Sequence, residues 1–597
     1  MSIPAPHPSG FPPAATGHER IMHEHSLASF DGRELFYRAW HPGYVRSKAL
    51  ILFHGGHEHS GRFQDLVERL DLADVSVFAW DARGHGRSPG ARGHARHFHD
   101  LVRDADCFVR HVSATYGIRV EDMMVLGHSV GSVIIGAWLH DYAPGVRGAV
   151  LGSPAFDVRL YAPLALPALR LWRRLNPDAF VNSYVRPGML THDRAEAEAR
   201  RRDPLIAPPI AVRVLTSLYD TAARIIDDAG AITTPVLLLS AGSDWVVHKA
   251  AQRRFFERLG SRDRAMHVLP GFYHEIFHER DRHIPIGLAR EFILRQFGAP
   301  RVTLPNAPVA RHGEAEYQRL LQPLAALDPC RLYYAGLRAG LKTVGRLSAG
   351  VRLGWASGFD SGRTLDYVYR NGARGFTPLG RIIDRAYLDS AGWRGIRERG
   401  ANLQSLLMQA VQRQRRRHGA VHVVDLASGP GRYVLESLRR LDDRHVSATC
   451  RDRDTAGLAE GRRLAAAYGL RGVDFEPGDA FDARSIRSLR QRPNVAVVSG
   501  LYELFSDNQL IGRSLAAIHE VLVDGGYLIY TNQPYHPQQA LIARTLVNRD
   551  GQPWVMRLRS QAEMNALVRR AGFEPREMLI DDAGIFSVTL AVKRSQP

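Results

Sequence analysis

Three residues far apart in the sequence, Ser129, Asp244 and His274, have the types that nucleophilic catalysis needs. Ser129 is the centre of Gly127-His128-Ser129-Val130-Gly131, a G-x-S-x-G placed directly after an apolar run and before the helical stretch SVIIGAWLH. Small residues flank the serine because a strand-to-helix turn that tight leaves no room for side chains. Asp244 closes the apolar run TPVLLLSAGSD, and His274 follows AMHVLPGF. In this order the imidazole takes the serine proton, and the carboxylate orients the imidazole and stabilises its charge. Asp220 and the pair Asp227–Asp228 are rival carboxylates, and Asp244 could instead cap a helix. HGGHEHSGRF at 54–63 follows an early apolar run, so the backbone N–H of Gly56, with that of Val130, could face a developing oxyanion.

A second constellation lies far downstream. Val423-Val424-Asp425-Leu426-Ala427-Ser428-Gly429-Pro430-Gly431-Arg432 reads as a strand entering a glycine-rich turn and a helix. Its glycines let backbone approach a ligand at a helix N-terminus. With Ala427 at the first position it is not G-x-G-x-x-G. Asp452 ends the next apolar run, about 20 residues on, where an acidic group suits ribose hydroxyls; Arg453 and Asp454 are alternatives there. Gly478-Asp479-Ala480 and Ser499-Gly500-Leu501-Tyr502-Glu503 close the third and fourth runs.

The elements that must position these groups are short apolar runs ending in Gly, Ser or Asp. In the first half they are KALILFHGG, VSVFAWDARGHG, DMMVLGHSVGS, RGAVLGSPA, TPVLLLSAGSD and AMHVLPGF. Such runs suit a parallel sheet buried on both faces, with polar chemistry beyond the carboxyl ends of its strands. A second α/β series begins near residue 420, and 597 residues exceed what one core supports, so the chain is α/β with at least two domains. The expected division is a disordered Pro-rich 1–20, an α/β domain at 21–297, a basic, mainly helical connector at 298–394, and a second α/β domain at 395–597. Residues 156–230 form an excursion in which LYAPLALPALRLWRRL reads as an amphipathic lid, with Arg170, Arg173 and Arg174 toward water.

On these motifs the first domain resembles the monoacylglycerol lipase/lysophospholipase branch of the α/β-hydrolases, the group also labelled serine aminopeptidase S33. HGGHEHSGRF is similar to that branch's HG-x-x-EHSGRY, and DARGHGRSPGARGH to its D-x-RGHG-S-x-G-x-RG, with Phe63 in place of a tyrosine. The resemblance implies an α/β-hydrolase fold with a lid. It makes Ser129 the nucleophile, His274 the base, Asp244 the orienter, and Gly56 and Val130 the oxyanion donors. The second domain resembles class I S-adenosylmethionine-dependent methyltransferases, whose first motif has the shape h-h-D-h-x-x-G-x-G. That implies a Rossmann-like fold ending in an antiparallel hairpin, and S-adenosylmethionine as cofactor. Its contacts would be Asp425, Ala427, Gly429, Gly431, Asp452, Asp479 and Ala480, with Tyr502 and Glu503 on the methyl-acceptor side. The pairing implies a bifunctional enzyme: an acyl ester of a monoacylglycerol or lysophospholipid is cut through an acyl-enzyme, and a methyl group goes to an acceptor related to lipid. The alternative is a hydrolase of small esters or aminoacyl amides joined to a methyltransferase fold that only binds.

Other classes are set aside by composition. Cys107, Cys330 and Cys450 are too scattered for a disulfide framework, and His94, His97 and His99 lack the carboxylate or thiolate partners of a metal site, so no metal is expected. Neither a leader segment nor a run of roughly 18–20 apolar residues is seen, which gives a cytoplasmic expectation. The formal net charge of +18 is uneven: residues 301–420 hold 20 Lys+Arg against 8 Asp+Glu. In that stretch Arg338, Lys342 and Arg346 are four apart, as on one face of a helix. The 331–355 segment is therefore expected to touch anionic membrane, about 1 kcal/mol per cation, at its inner, cytoplasmic face. No nucleic-acid-binding signature accompanies the charge.

Overall fold

The computed structural model describes residues 20–42, 44–300 and 311–594. The expected disordered segment, up to residue 19, and residues 301–310 of the expected linker lie outside them. The chain divides into two compact units, Met1–Val302 and Thr303–Pro597.

In the first unit the anticipated apolar runs form β3 (Lys48–Phe53), β4 (Val75–Trp80), β5 (Met123–His128), β6 (Gly148–Gly152), β9 (Val236–Ala241) and β10 (Arg264–Leu269). Two further strands, β1 (Ile21–Ala28) and β2 (Glu34–His41), precede them, and β7 (Phe180–Asn182) pairs with β8 (Pro209–Ala211) in a separate ribbon. The main sheet runs β1-β2-β4-β3-β5-β6-β9-β10. It is parallel from β4 to β10 and antiparallel at the β1–β2 edge. Buried side chains cover both faces of β4, β5, β6 and β9, the reason their sequences are continuous apolar runs. β1 escaped detection because IMHEHSLA is exposed along nearly all its length and carries no such run. This is the α/β-hydrolase fold.

The excursion at 156–230 contains helices Ala165–Leu175, Arg194–Arg202 and Val212–Asp227. In its first helix Arg170 and Arg174 are exposed, as expected, while Leu166 and Leu169 are half-buried together with Arg173. Arg170 pairs with Asp220 at 2.6 Å and Arg173 donates to Thr216 at 3.2 Å, while Leu164 and Leu175 stand 79 and 78% exposed. The Arg170–Asp220 pair lies at the surface, and those two exposed leucines stand at the two ends of the helix.

Helix Val130–Asp141, which carries the turn after β5, is buried from Gly131 to its end. Its last residues are fastened by charge. Arg224 donates to both Asp141 oxygens at 2.5 and 2.8 Å, and His140 bridges Asp141 and Asp228 at 2.7 Å each. Breaking a buried pair on one side strands a charge and costs about 3–5 kcal/mol. Arg224→Met is expected to destabilise the first unit by about that amount, measured by urea unfolding against wild type.

The second unit is built on β11 (Val421–Leu426), β12 (Val446–Asp452), β13 (Val473–Pro477), β14 (Val495–Val498), β15 (Tyr527–Asn532), β16 (Phe573–Ile580) and β17 (Ser587–Lys593). Their order is β13-β12-β11-β14-β15-β17-β16. The first five are parallel and β17 is antiparallel to both neighbours. Strand order reverses between β11 and β14, the place where α/β sheets bind ligands.

The helices of 311–394 are part of this unit, where the sequence suggested a separate connector. Val351, Phe359, Val368 and Leu388 share one apolar cluster with Trp393, Val547, Ile585 and Phe586, so they bury surface that a free connector would expose. The expected three-cation face is also interrupted. Helix Pro329–Lys342 ends where the Thr343 hydroxyl bonds back to the Ala339 carbonyl, and Arg346 falls in the 3-10 turn Val344–Leu347. Arg338 and Lys342 meanwhile lie over the Trp355 ring. No described helix is long and apolar enough to cross a membrane.

Candidate functional site

The turn after β5 explains its own sequence. Ser129 has φ +52°, a left-handed backbone that a non-glycine residue adopts at a cost of about 1–3 kcal/mol. Close approach fixes the neighbours. A Cβ on Gly131 would sit 2.2 Å from the Phe53 carbonyl oxygen, and one on Gly127 would sit 2.7 Å from Gly131 backbone. Hydrogen bonds hold the strained residue, with its N–H donating to Gly152 O at 2.8 Å and its carbonyl accepting from Ala155 at 3.2 Å.

The three distant residues meet at this turn. His274 Nε2 lies 2.8 Å from Ser129 Oγ, and His274 Nδ1 lies 2.8 Å from Asp244 Oδ2. Asp244 also accepts the backbone N–H groups of Val246 and Val247 at 2.7 and 3.0 Å, which aim its carboxylate. Burial disfavours an imidazolium at His274, but the Asp244 charge, with Glu275 and Glu58 behind it, outweighs burial and raises its pKa above the ordinary 6.5. Burial likewise opposes the Asp244 carboxylate, yet His274 and those two N–H groups hold its pKa below the usual range. The rival carboxylates are engaged elsewhere: Asp220 with Arg170, Asp227 with Arg258, Asp228 with His140. Gly56 sits beside Val130, where a Cβ would meet Val130 Cγ2 at 3.2 Å, so both proposed oxyanion donors border the serine turn.

Other histidines of the motifs hold backbone. His54 Nε2 accepts from Ala82 N at 3.0 Å, and His128 Nε2 lies 3.0 Å from the His274 carbonyl. His94 is placed against Phe180 and His99 beside Asp141, so they do not converge. The sequence reading missed a buried cluster behind the triad. Glu58, Glu275 and His278 bring ligand atoms within 4.8 Å of one another, a spacing that could hold a cation. A guanidinium already occupies that role: Arg200, from helix Arg194–Arg202, lies 2.5 Å from Glu58 and 3.4 Å from Glu275. The lid is thereby tied to the residue next to His274. Glu58 within EHSGRF and Glu275 within HEIF were visible signals; their partner, far off in the excursion, was not.

In the second unit Ala427, Gly429 and Gly431 all have positive φ, +61°, +53° and +65°. No heavy atom lies within 4 Å of the place a Gly429 Cβ would take, so the turn leaves an open cradle after β11. Asp452, at the end of β12, accepts the Gly429 N–H at 2.7 Å. Asp425 is buried under the turn. Tyr433 donates to its Oδ1 at 2.7 Å, whereas Oδ2 is buried without a partner. Burial drives its pKa well above the usual carboxylate range. Asp479 accepts from Phe481 N at 2.8 Å and Ala480 is buried, both just past β13. An open glycine cradle and a carboxylate at the neighbouring strand end fit a nucleoside cofactor. Tyr502 is a core residue, its hydroxyl 3.0 Å from Ser514, whereas Glu503 and Gly500 line a cavity.

Fold and sites together define a serine hydrolase unit followed by a methyltransferase-fold unit. Residues 46–281 match the family "Serine aminopeptidase, S33", and residues 289–593 match the family "Putative methyltransferase". The chain belongs to that methyltransferase family, and its first unit is a monoacylglycerol lipase-like α/β-hydrolase. Protein YnbC of Escherichia coli (strain K12) is 45% identical over 582 residues, covering 96% of this chain and 99% of its own. The monoacylglycerol lipase of Mycolicibacterium smegmatis is 30% identical over 269 residues, 43% of this chain and 92% of that one. The Homo sapiens monoglyceride lipase is 29% identical over 260 residues, 42% and 84% respectively.

The His274 environment gives a pH prediction. The base works when neutral, so esterase activity falls as pH drops through the raised pKa, with a midpoint above 6.5. Asp244→Asn removes the raising charge. It is expected to shift that midpoint downward and lower kcat by about ten-thousand-fold, read from a pH–rate profile on a short-chain nitrophenyl ester.

Proposed function

We propose that the first unit hydrolyses an acyl ester of a monoacylglycerol or lysophospholipid through an acyl-enzyme. The observation that carries this is the continuous Ser129–His274–Asp244 chain of two 2.8 Å contacts. His274 Nε2 takes the Ser129 proton as Oγ attacks the ester carbonyl, and the N–H groups of Gly56 and Val130 meet the oxyanion. His274 then returns the proton to the departing alcohol, and water releases the acyl group by the same steps. The monoacylglycerol lipases among its relatives support the substrate class. Ser129→Ala is expected to lower monoacylglycerol hydrolysis by about ten-thousand-fold or more, measured by fatty-acid release; full activity in that variant would overturn the assignment. A family description naming a serine aminopeptidase favours a second reading, hydrolysis of small esters or aminoacyl amides. Faster turnover of aminoacyl amides than of long-chain esters would establish it.

For the second unit we propose methyl transfer from S-adenosylmethionine. Ala427, Gly429 and Gly431 would cradle it, Asp452 would hold its ribose, Asp479 and Ala480 would border its adenine, and Asp425 lies beneath. When bound, it supplies an activated methyl group. Gly429→Arg fills the open cradle and is expected to abolish S-adenosylmethionine binding in calorimetry; a wild-type chain that shows no binding would leave a methyltransferase fold without the activity.

Contact with an anionic membrane remains our proposal for the basic part of this unit, on a surface different from the expected helical face. Val344, Phe376, Leu379 and Ile382 are exposed apolar residues, and Arg346, Arg352, Arg374 and Arg381 accompany them in the sequence. The turn Val344–Leu347 packs on helix Pro378–Leu388, where a Cβ on Gly380 would meet Leu347 O at 2.6 Å. Such a patch suits peripheral attachment at a cytoplasmic membrane face. Co-sedimentation with phosphatidylglycerol vesicles is expected, weakened by Arg346→Glu together with Arg381→Glu. Equal binding to phosphatidylcholine vesicles would contradict it.

A further inference from the structure

The second unit contains a cavity of about 180 Å³ between the strand ends of β14 and β15 and the helices that cover them. Its wall is largely aromatic and aliphatic, with Phe359, Leu365, Trp393, Ile542, Trp554 and Phe586 among the lining residues. An apolar cavity of about 150 Å³ holds one benzene ring, so this space suits a single substituted ring.

Polar groups gather where the cavity meets the strand ends. Thr531 Oγ1 donates to Glu503 Oε1 at 2.6 Å, and Arg399 Nη1 lies 3.5 Å from the same oxygen. The other oxygen, Glu503 Oε2, is buried without a partner, and so is Gln533 Nε2. Glu503 and Gln533 both line the cavity and each carries one unpartnered polar atom, an acceptor and a donor, so a group that both donates and accepts, as a hydroxyl does, would satisfy the pair. The flanking charges narrow the choice. Glu503 and Arg399 are paired with each other, so a charged ligand group would have to break into that pair, whereas a neutral hydroxyl need not. His536, also on the wall, is pushed down to about 4 by burial and adds no charge. A phenolic hydroxyl, with an acidity near that of tyrosine at about 10, can pass its proton to a carboxylate far more readily than an aliphatic alcohol can.

We propose that this cavity binds a phenol with one apolar ring as the methyl acceptor, its hydroxyl donating to Glu503 Oε2. The proposal rests on the methyltransferase reading and replaces the lipid-related acceptor suggested by the sequence. In the transfer the phenolic O–H bond breaks and its proton passes to Glu503. An oxygen electron pair forms the O–CH3 bond, and the S–CH3 bond of the sulfonium donor breaks with its pair left on sulfur as a thioether.

The full chain is titrated with 4-ethylphenol without methyl donor, following tryptophan fluorescence, since Trp393 and Trp554 line the cavity. Saturable binding is expected, about ten-fold or more tighter than for 4-ethylanisole, whose oxygen cannot donate, and for 1-decanol. Ile542→Phe, which fills the cavity, is expected to lose it. Isosteric Glu503→Gln is expected to keep binding within about ten-fold yet lower methyl transfer to 4-ethylphenol by about a hundred-fold or more. Equal binding of the phenol and its ether, no phenol binding, or unimpaired transfer by Glu503→Gln would overturn the proposal. A separate titration with S-adenosylmethionine keeps the two claims apart. A chain that binds the methyl donor but not the phenol refutes the acceptor, and one that binds the phenol but not the donor refutes the methyltransferase reading.

Discussion

Both halves of this chain depend on a strand-to-helix turn whose backbone is forced into the left-handed region at the carboxyl edge of a parallel sheet. At Ser129 the forcing comes from contact: Gly127 and Gly131 let β5, its helix and the Phe53 carbonyl close to distances that any Cβ would prevent. The strain is held by the bonds to Gly152 and Ala155, and it lifts Oγ out of the strand toward His274. At Ala427, Gly429 and Gly431 the same region of backbone space does the opposite work. It leaves an open cradle at Gly429, with Asp452 bonded to its rim.

Given those turns, the rest of each unit has a positional task. In the first, Asp244 is aimed by two backbone N–H groups and His274 by that carboxylate, so the proton relay is set before any substrate arrives. The Arg200 guanidinium between Glu58 and Glu275 couples the excursion to the same loop. In the second, helices before the sheet complete its core and close a cavity over the β14 and β15 ends. A methyl donor at the β11 turn and an acceptor at β14 would flank the point where strand order reverses.

How much of this could be read from sequence follows from what each feature depends on. Buried parallel strands announce themselves as apolar runs, and the glycines of both turns are dictated locally, so the sheets, Ser129 and the 423–432 turn were legible. Asp244 and His274 were legible because each ends such a run. The β1 edge was not, since an exposed strand such as IMHEHSLA has no reason to be apolar, and buried β2 interleaves Arg38 and His41 with its apolar residues. Nor was the place of Arg200, whose partners lie 142 and 75 residues away. The charge count misled in one respect. It marked 301–420 as basic, but Arg319, Arg370, Arg385 and Arg415 are paired with acidic neighbours and Arg399 is buried beside Glu503, and the helices pack as part of the second unit. Net charge reports on solvation and partners; packing is decided by Val351, Phe359, Val368 and Leu388, whose spacing over several short helices carries no simple period.

In the proposed hydrolysis one serine, activated through His274, carries the acyl group. Peptide mass spectrometry after treatment with a long-chain alkyl fluorophosphonate tests it most directly. A single phosphonyl adduct is expected on the peptide containing Ser129, formed far more slowly in His274→Ala. An adduct on another residue, or labelling of Ser129 at the same rate without His274, would contradict it.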